Sequence, residues 1–314
     1  MINYNFIQRI LHKVLLETKF AKKSLFEIEK ILFLKNQNIK NNKHIFITGL
    51  PRSGSTALLN FLNCSNELCS LKYKDMPFIM APNIAKLFKK KKIVKTERYH
   101  NDNIFFDLES PESFDEVFFS TFSEIDFNEE IISYISLILS SYGKNRYLSK
   151  NNNNYKRITI LKNIFPDSIF LLPVREPLQH ANSLFLQHLN FLNLQKKDKF
   201  ILNYMNYLGH YEFGLNHKHW FKPKKYKNLN DINYWLEQWY YFYKFLLDSC
   251  KNKKFCKFIV YENMKNNGYL SSKGLVEELT LNNQNFFKIS KKKIECKFDK
   301  ELYNQALNIY NKFL

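Results

Sequence analysis

Three short apolar runs punctuate the chain: "HIFITGL" at 44–50, "SIFLLPVRE" at 168–176 and "CKFIVYEN" at 256–263. Each is rich in β-branched and aromatic residues, and none alternates cleanly with polar ones. That pattern predicts strands buried on both faces, as in a parallel sheet covered by helices. "LCSLKY" at 68–73 is a weaker strand candidate. Helical periodicity is expected near 112–142, 177–193, 198–209, 230–250 and 299–313, and from Ser55 to Leu62. Residues 1–35 read as an amphipathic helix, with Ile7, Ile10, Leu11, Val14 and Leu15 in its pattern. A polar linker, "NQNIKNNK", follows at 36–43. "KNNNN" at 150–154 predicts a loop, and the basic stretch 216–229 an exposed one. Strand, tight loop and helix at 44–62 form the opening of a parallel α/β unit.

Composition narrows the class of protein. Hydrophobic residues make up 45% of 314, enough for a sizeable core and against wholesale disorder. The formal charge of +19 favours anionic partners. The wealth of Lys, Asn, Phe, Tyr and Ile, with only 7 Gly, is also what an AT-rich coding sequence gives, so the charge alone assigns no partner. Five cysteines, Cys64, Cys69, Cys250, Cys256 and Cys296, include no CxxC pair and leave one over. They suggest neither a disulfide framework nor a zinc site, and a reducing, cytoplasmic setting is expected. Charges interrupt the N-terminal segment, unlike a signal peptide. No apolar stretch reaches the roughly 18 residues of a membrane span.

The candidate chemistry begins at "ITGLPRSGST", residues 47–56. A glycine-bearing turn between strand and helix points backbone N–H groups at an anion held at the helix's positive end. Gly49 and Gly54 are spaced as in G-x-x-x-x-G-K-[ST], but Ser55 stands where the lysine of a nucleoside-triphosphate loop would be. Arg52 offers a planar fork suited to phosphate or sulfate oxygens. A magnesium-dependent nucleotide kinase also needs an acidic residue at a strand end. Run 168–176 reaches Arg175 there, and Glu262, after Tyr261, is a weak substitute. A second anchor follows in "VREPLQHANSLF", where Arg175 ends a strand and Ser183 lies two turns into the next helix. The carboxyl ends of parallel strands are where such sheets bind ligands.

Taken together, "GLPRSGST" and "VREPLQHANSL", with the approach "NIFPDSIFLLPVREP", resemble the sulfotransferases that use 3′-phosphoadenosine-5′-phosphosulfate (PAPS). The likeness spans roughly 44–185, with weaker echoes in "FIVYENM" and the C-terminal helix, and is nearer to bacterial or Golgi-type members than to the cytosolic steroid and phenol enzymes. It implies a parallel α/β sheet flanked by helices, a P-loop-like fold with helical insertions. The chain would then be a single domain over 1–314: an N-terminal helical segment and linker at 1–43 and a catalytic core at 44–314. It implies PAPS as sulfuryl donor with no metal. Arg52, Ser53, Gly54, Ser55 and Thr56 would hold the 5′-phosphosulfate, and Arg175 and Ser183 the 3′-phosphate. The glycine-rich adenine motif of the cytosolic enzymes is not evident.

Sulfuryl transfer to an alcohol needs a base for the acceptor's proton. The resemblance implies a carboxylate some 20 residues past the loop, where this chain has Asp75. His100 in "TERYHNDN" is the rival, and Lys150 a candidate to reach the leaving phosphate. His210, His217 and His219 lack a neighbouring cysteine or acidic cluster beyond Glu212, so their aromatic and basic segment reads as a lid or acceptor loop rather than a zinc site. The acceptor class expected is a hydroxyl or amine on a sugar, a lipid or a small metabolite. The competing readings are the kinase and a basic nucleic-acid-binding protein; for the latter no zinc-finger or RNP-type motif is present.

Overall fold

The computed structural model describes residues 4–88, 96–97, 105–122, 127–266, 275, 277–279 and 297–314. Strands β1 (Ile45–Ile47), β2 (Leu68–Cys69), β5 (Arg146–Lys150), β6 (Ile169–Val174) and β7 (Cys256–Val260) form one sheet in the order β2-β5-β1-β6-β7. Every pairing in it is parallel. A separate antiparallel pair joins β3 (Thr96–Glu97) and β4 (Phe105–Phe106). The fold is therefore the α/β arrangement expected, with β1 at the centre of the sheet.

The strand period of two sorts the core. Ile45 and Ile47 face one side, with Leu58, Leu59 and Leu62 of α3 (Ser55–Asn63). Phe46 faces the other and stacks on Phe170, ring centroids 5.2 Å apart. That side is covered by α6 (Phe127–Tyr142), α7 (Ile158–Ile164), α8 (Pro177–Lys197) and α10 (Ile232–Cys250), which supply Ile138, Leu161, Leu184 and Trp239 to the same cluster. Further helices among the described residues are α1 (Phe6–Leu16), α2 (Lys19–Phe33), α4 (Pro82–Ala85), α5 (Glu116–Thr121), α9 (Lys199–Tyr207), α11 (Tyr261–Asn266) and α12 (Lys300–Tyr310).

Several local expectations change. The helix read over 1–35 is two helices, because Thr18 leaves the helical conformation and its hydroxyl caps α2 by accepting from the Ala21 N–H. The stretch 112–142 likewise holds two helices, α5 and α6. Strand β5 was hidden in "RYLSK". Its Ser149 is buried because the hydroxyl donates to Asp115, and Tyr147 donates to the same carboxylate. The asparagine run after β5 is packed inside, not looped out. Asn151 and Arg157 both donate to the Glu116 carboxylate, and Asn154 donates to Ser149. The stretch 216–229 is a loop, but it is laid along α10. Buried Gln238 accepts from the N–H groups of Trp220 and Phe221, and buried Glu237 from those of Lys224 and Lys225.

Candidate active site

The turn after β1 leaves the middle of the sheet at its carboxyl edge, between β5 and β6. Gly49 packs against β6 so closely that an added Cβ would lie 3.3 Å from the Pro173 carbonyl oxygen. Arg52 has a φ of 69°, a left-handed conformation that costs a non-glycine residue about 1–2 kcal/mol. Gly54, at φ 95°, is the N-cap of α3, and no side chain caps that helix. The first N–H groups of a helix have no partner within it, so this end presents donors and partial positive charge together.

The second motif is bonded directly to the first. His180 Nε2 lies 2.8 Å from the Pro51 carbonyl oxygen, Arg175 Nη1 donates to the Arg52 carbonyl at 3.3 Å, and Arg52 Nε donates to the Ser183 hydroxyl at 3.1 Å. Arg175, ahead of α8, and His180 and Ser183, on its first two turns, thus hold Pro51 and Arg52. Burial pushes the His180 imidazole down to about 3, with the Arg175 and Arg52 charges adding to the effect. It is therefore neutral, and its Nε2–H is the donor to Pro51. His180 was not singled out from sequence, where a mid-helix histidine reads as ordinary core.

Arg175 is itself held from behind. Its carbonyl accepts from Trp239 Nε1 at 3.2 Å, and the Tyr243 hydroxyl donates to the Pro173 carbonyl at 2.8 Å. Its guanidinium lies over the Tyr261 ring, 5.0 Å from the centroid. The same ring covers Gly54, where an added Cβ would meet Tyr261 Cδ2 at 2.6 Å. Tyr261, also missed as a site residue, is wedged between the two anchors. Its neighbour Glu262 accepts from the Glu176 N–H at 3.0 Å and from the Tyr310 hydroxyl at 2.7 Å. Both its oxygens are engaged in fastening α8 and α12, which removes the acidic residue a magnesium-dependent reading would use.

Of the other candidates, Asp75 follows β2 and Lys150 ends β5. Asp75 is buried in a single turn of 3₁₀ helix, and its Oδ2 accepts from the Lys72 N–H at 2.7 Å and the Tyr142 hydroxyl at 2.6 Å. Lys150 ends β5 next to β1, with its side chain largely enclosed and its Nζ 3.8 Å from Glu112 Oε1. Glu112 also accepts from the Tyr73 hydroxyl at 3.1 Å. This carboxylate is not marked in the sequence; the bridge between Lys72 and Pro111 and the Glu112 N–H donated to the Leu71 carbonyl bring it beside the segment after β2. His100 lies outside the described residues. His210 and His217 are consumed in packing: one bonds the Ser113 carbonyl, the other the Glu212 carbonyl and the Tyr234 hydroxyl. Among the described residues, no three His, Cys, Asp or Glu side chains are grouped to hold a metal.

A sulfotransferase family model matches residues 44–234, more than half the chain and all of the constellation from Pro51 to Ser183. The chain belongs to the sulfotransferase family. Among solved structures, sulfotransferase STF1 from Mycobacterium tuberculosis is similar in fold. It has a TM-score of 0.50 at 11% identity, covering 98% of this chain and 81% of that one. Sulfotransferase STF9 from Mycobacterium avium gives a TM-score of 0.45 at 13% identity, over 99% and 79%. No curated protein sequence matches this sulfotransferase.

The site's own atoms fit a compact anionic donor. Arg175 Nε is buried without a hydrogen-bond partner. Leaving such a donor unpaired costs about 1–3 kcal/mol, which a bound phosphate would recover. Beside it stand the uncapped N-terminus of α3 and the Arg52 guanidinium.

Proposed function

We propose that this sulfotransferase uses PAPS and passes its sulfuryl group to a hydroxyl or amine on a sugar, a lipid or a small metabolite. The observation that carries the reading is the bonded pair of motifs: a helix N-terminus without a side-chain cap, adjoining an arginine whose Nε is buried and unpaired. When bound, the donor supplies an activated sulfuryl group on a phosphate leaving group. The chain's part is then to hold and orient. The backbone at Ser53, Gly54, Ser55 and Thr56, with the Arg52 fork, would grip the 5′-phosphosulfate end. Arg175 and Ser183 would grip the 3′-phosphate. Lys150, beside β1, adds positive charge where the leaving oxygen becomes negative.

The acceptor's proton needs a carboxylate at this edge. Asp75 is our assignment, ordered by Tyr142 and the Lys72 backbone. Glu112 is a second candidate on one specific observation, its approach to Lys150. A cytoplasmic setting is supported by the thiols of Cys64, Cys69, Cys250 and Cys256, all free. Among the described residues no helix is long and apolar enough to cross a membrane.

The test is incubation of metabolite extracts with the enzyme and sulfur-labelled PAPS, read by mass spectrometry. Label should move into new products, and Arg175→Ala should abolish the transfer. Release of labelled sulfate alone, or none, would reject the proposal.

A further inference from the structure

Helices α1 and α2 bury Leu16 and Phe26 in the core, but each also carries an apolar row that the domain leaves uncovered. Phe6, Ile7, Ile10, Leu11 and Val14 recur at the spacing that normally turns a helix toward the core. Here all five are exposed, Phe6 to 76% and Ile7 to 75%. The buried side of α1 combines Leu16 with polar residues. His12 is enclosed, its Nδ1 2.7 Å from the Gln8 carbonyl, and Arg9 makes a two-pronged ion pair with Asp198, the N-cap of α9. Helix α2 packs Phe26 against Phe118 and Phe122 and likewise leaves a row of apolar residues outside. Phe20 is 81% and Ile31 82% exposed, with Ile28 and Leu32 also outside. Meanwhile Glu29 is fully buried, accepting from the Asn83 and Ile84 N–H groups of α4. Leu16, Phe26 and the polar anchors together fasten both helices to the domain, and nine further apolar residues are left to water. Exposed apolar side chains scattered singly are ordinary; nine on two consecutive helices mark a contact surface.

Charge selects the occupant. Residues 1–40 carry seven lysines and one arginine against three glutamates. Lys13, Lys19, Lys23, Lys35 and Lys40 are exposed around the apolar positions. A second copy would bring the same positive surplus, on a chain of +19, against itself. A helix with Phe, Ile and Leu on one side and lysines beside them lies instead in the headgroup layer of an anionic bilayer. We propose that α1 and α2 dock this protein peripherally on an anionic lipid surface, the apolar side chains inserted among the acyl chains and the lysines on lipid phosphates. The site at the carboxyl edge plays no part in this inference, and the donor reading can fail without affecting it.

The test is co-sedimentation of the full chain with vesicles of phosphatidylcholine alone and of phosphatidylcholine mixed equally with phosphatidylglycerol. Binding is expected to the mixed vesicles only, weakening as salt rises. The variant Ile7→Ser, Val14→Ser, Phe20→Ser, Ile31→Ser should lose more than about tenfold in vesicle affinity, with an unchanged melting temperature. Lys13→Gln, Lys19→Gln, Lys35→Gln should weaken binding as well. No binding to the mixed vesicles, or equal binding by the serine variant, overturns the proposal. So does a soluble dimer that the serine substitutions convert to monomer, which would assign the surface to a second copy.

Discussion

Gly54→Ala is the substitution that most sharply tests how the phosphate loop is held. Two separate penalties are built into that position. The φ of 95° is left-handed, which costs an alanine about 1–2 kcal/mol in stability. The new methyl would also fall 2.6 Å from Tyr261 Cδ2 and 2.9 Å from Cε2, so the ring must shift. That ring lies under the Arg175 guanidinium, and a displaced stack forfeits about 0.5–2 kcal/mol along with the arginine's orientation. The affinity for 3′-phosphoadenosine 5′-phosphate (PAP) should therefore fall about three- to thirty-fold. Tyr261→Ala removes the clash but not the backbone strain. The double variant Gly54→Ala, Tyr261→Ala should thus bind PAP no worse than Tyr261→Ala alone, while its unfolding free energy keeps the deficit from the backbone. Calorimetric titration measures the PAP affinity and urea denaturation the unfolding free energy. Strictly additive losses in PAP affinity, or wild-type affinity in Gly54→Ala, would refute the picture of Tyr261 as the wedge between the anchors.

Three other outcomes are expected. Arg175→Ala should weaken PAP far more than adenosine-5′-phosphosulfate, which lacks the 3′-phosphate; titration of both ligands checks this, and equal weakening contradicts the role given to Arg175. Asp75→Asn should lower turnover by about a hundredfold or more while PAP affinity is retained; survival of activity there, with its loss in Glu112→Gln, would move the proton acceptor to Glu112. Stability should fall in mild acid. Burial pushes His44 and His188 down to about 4 and His180 to about 3, so each stays neutral in the fold and gains a proton in the unfolded chain. Their contributions are whole above about 6.5 and drain below it, each by up to about 1.4 kcal/mol per pH unit. Buried Asp115, pushed up to about 6, returns part of this as pH falls from 6 toward its ordinary value. Urea midpoints should drop between pH 6.5 and 5, and a flat profile would count against three neutral buried histidines.

How much of this was legible beforehand depends on where each element's partners lie in sequence. β1, β6 and β7 could be read because their residues are apolar wherever they are buried. The turn between β1 and α3 could be read because glycines break the pattern between an apolar strand and a helical period. β5 could not, since Ser149 and Lys150 become enclosed only through Asp115 and Glu112, more than thirty residues away. The asparagine run depended in the same way on Glu116 and Arg157. His180 and Tyr261 escaped notice because nothing local marks them; what they do is touch Pro51 and cover Gly54. At α1 and α2 the helical period is legible, but neither the break at Thr18 nor the outward apolar row is, because pattern alone does not say which side of a helix the domain will take.

The central claim is that two motifs form one site for a nucleotide carrying a 3′-phosphate and no γ-phosphate. Calorimetric titration of the intact chain with PAP, in chelator and without magnesium, tests it most directly. The account predicts saturable one-to-one binding that Arg175→Ala removes and that ATP with magnesium does not reproduce. Tight binding of ATP with magnesium, and none of PAP, would contradict it.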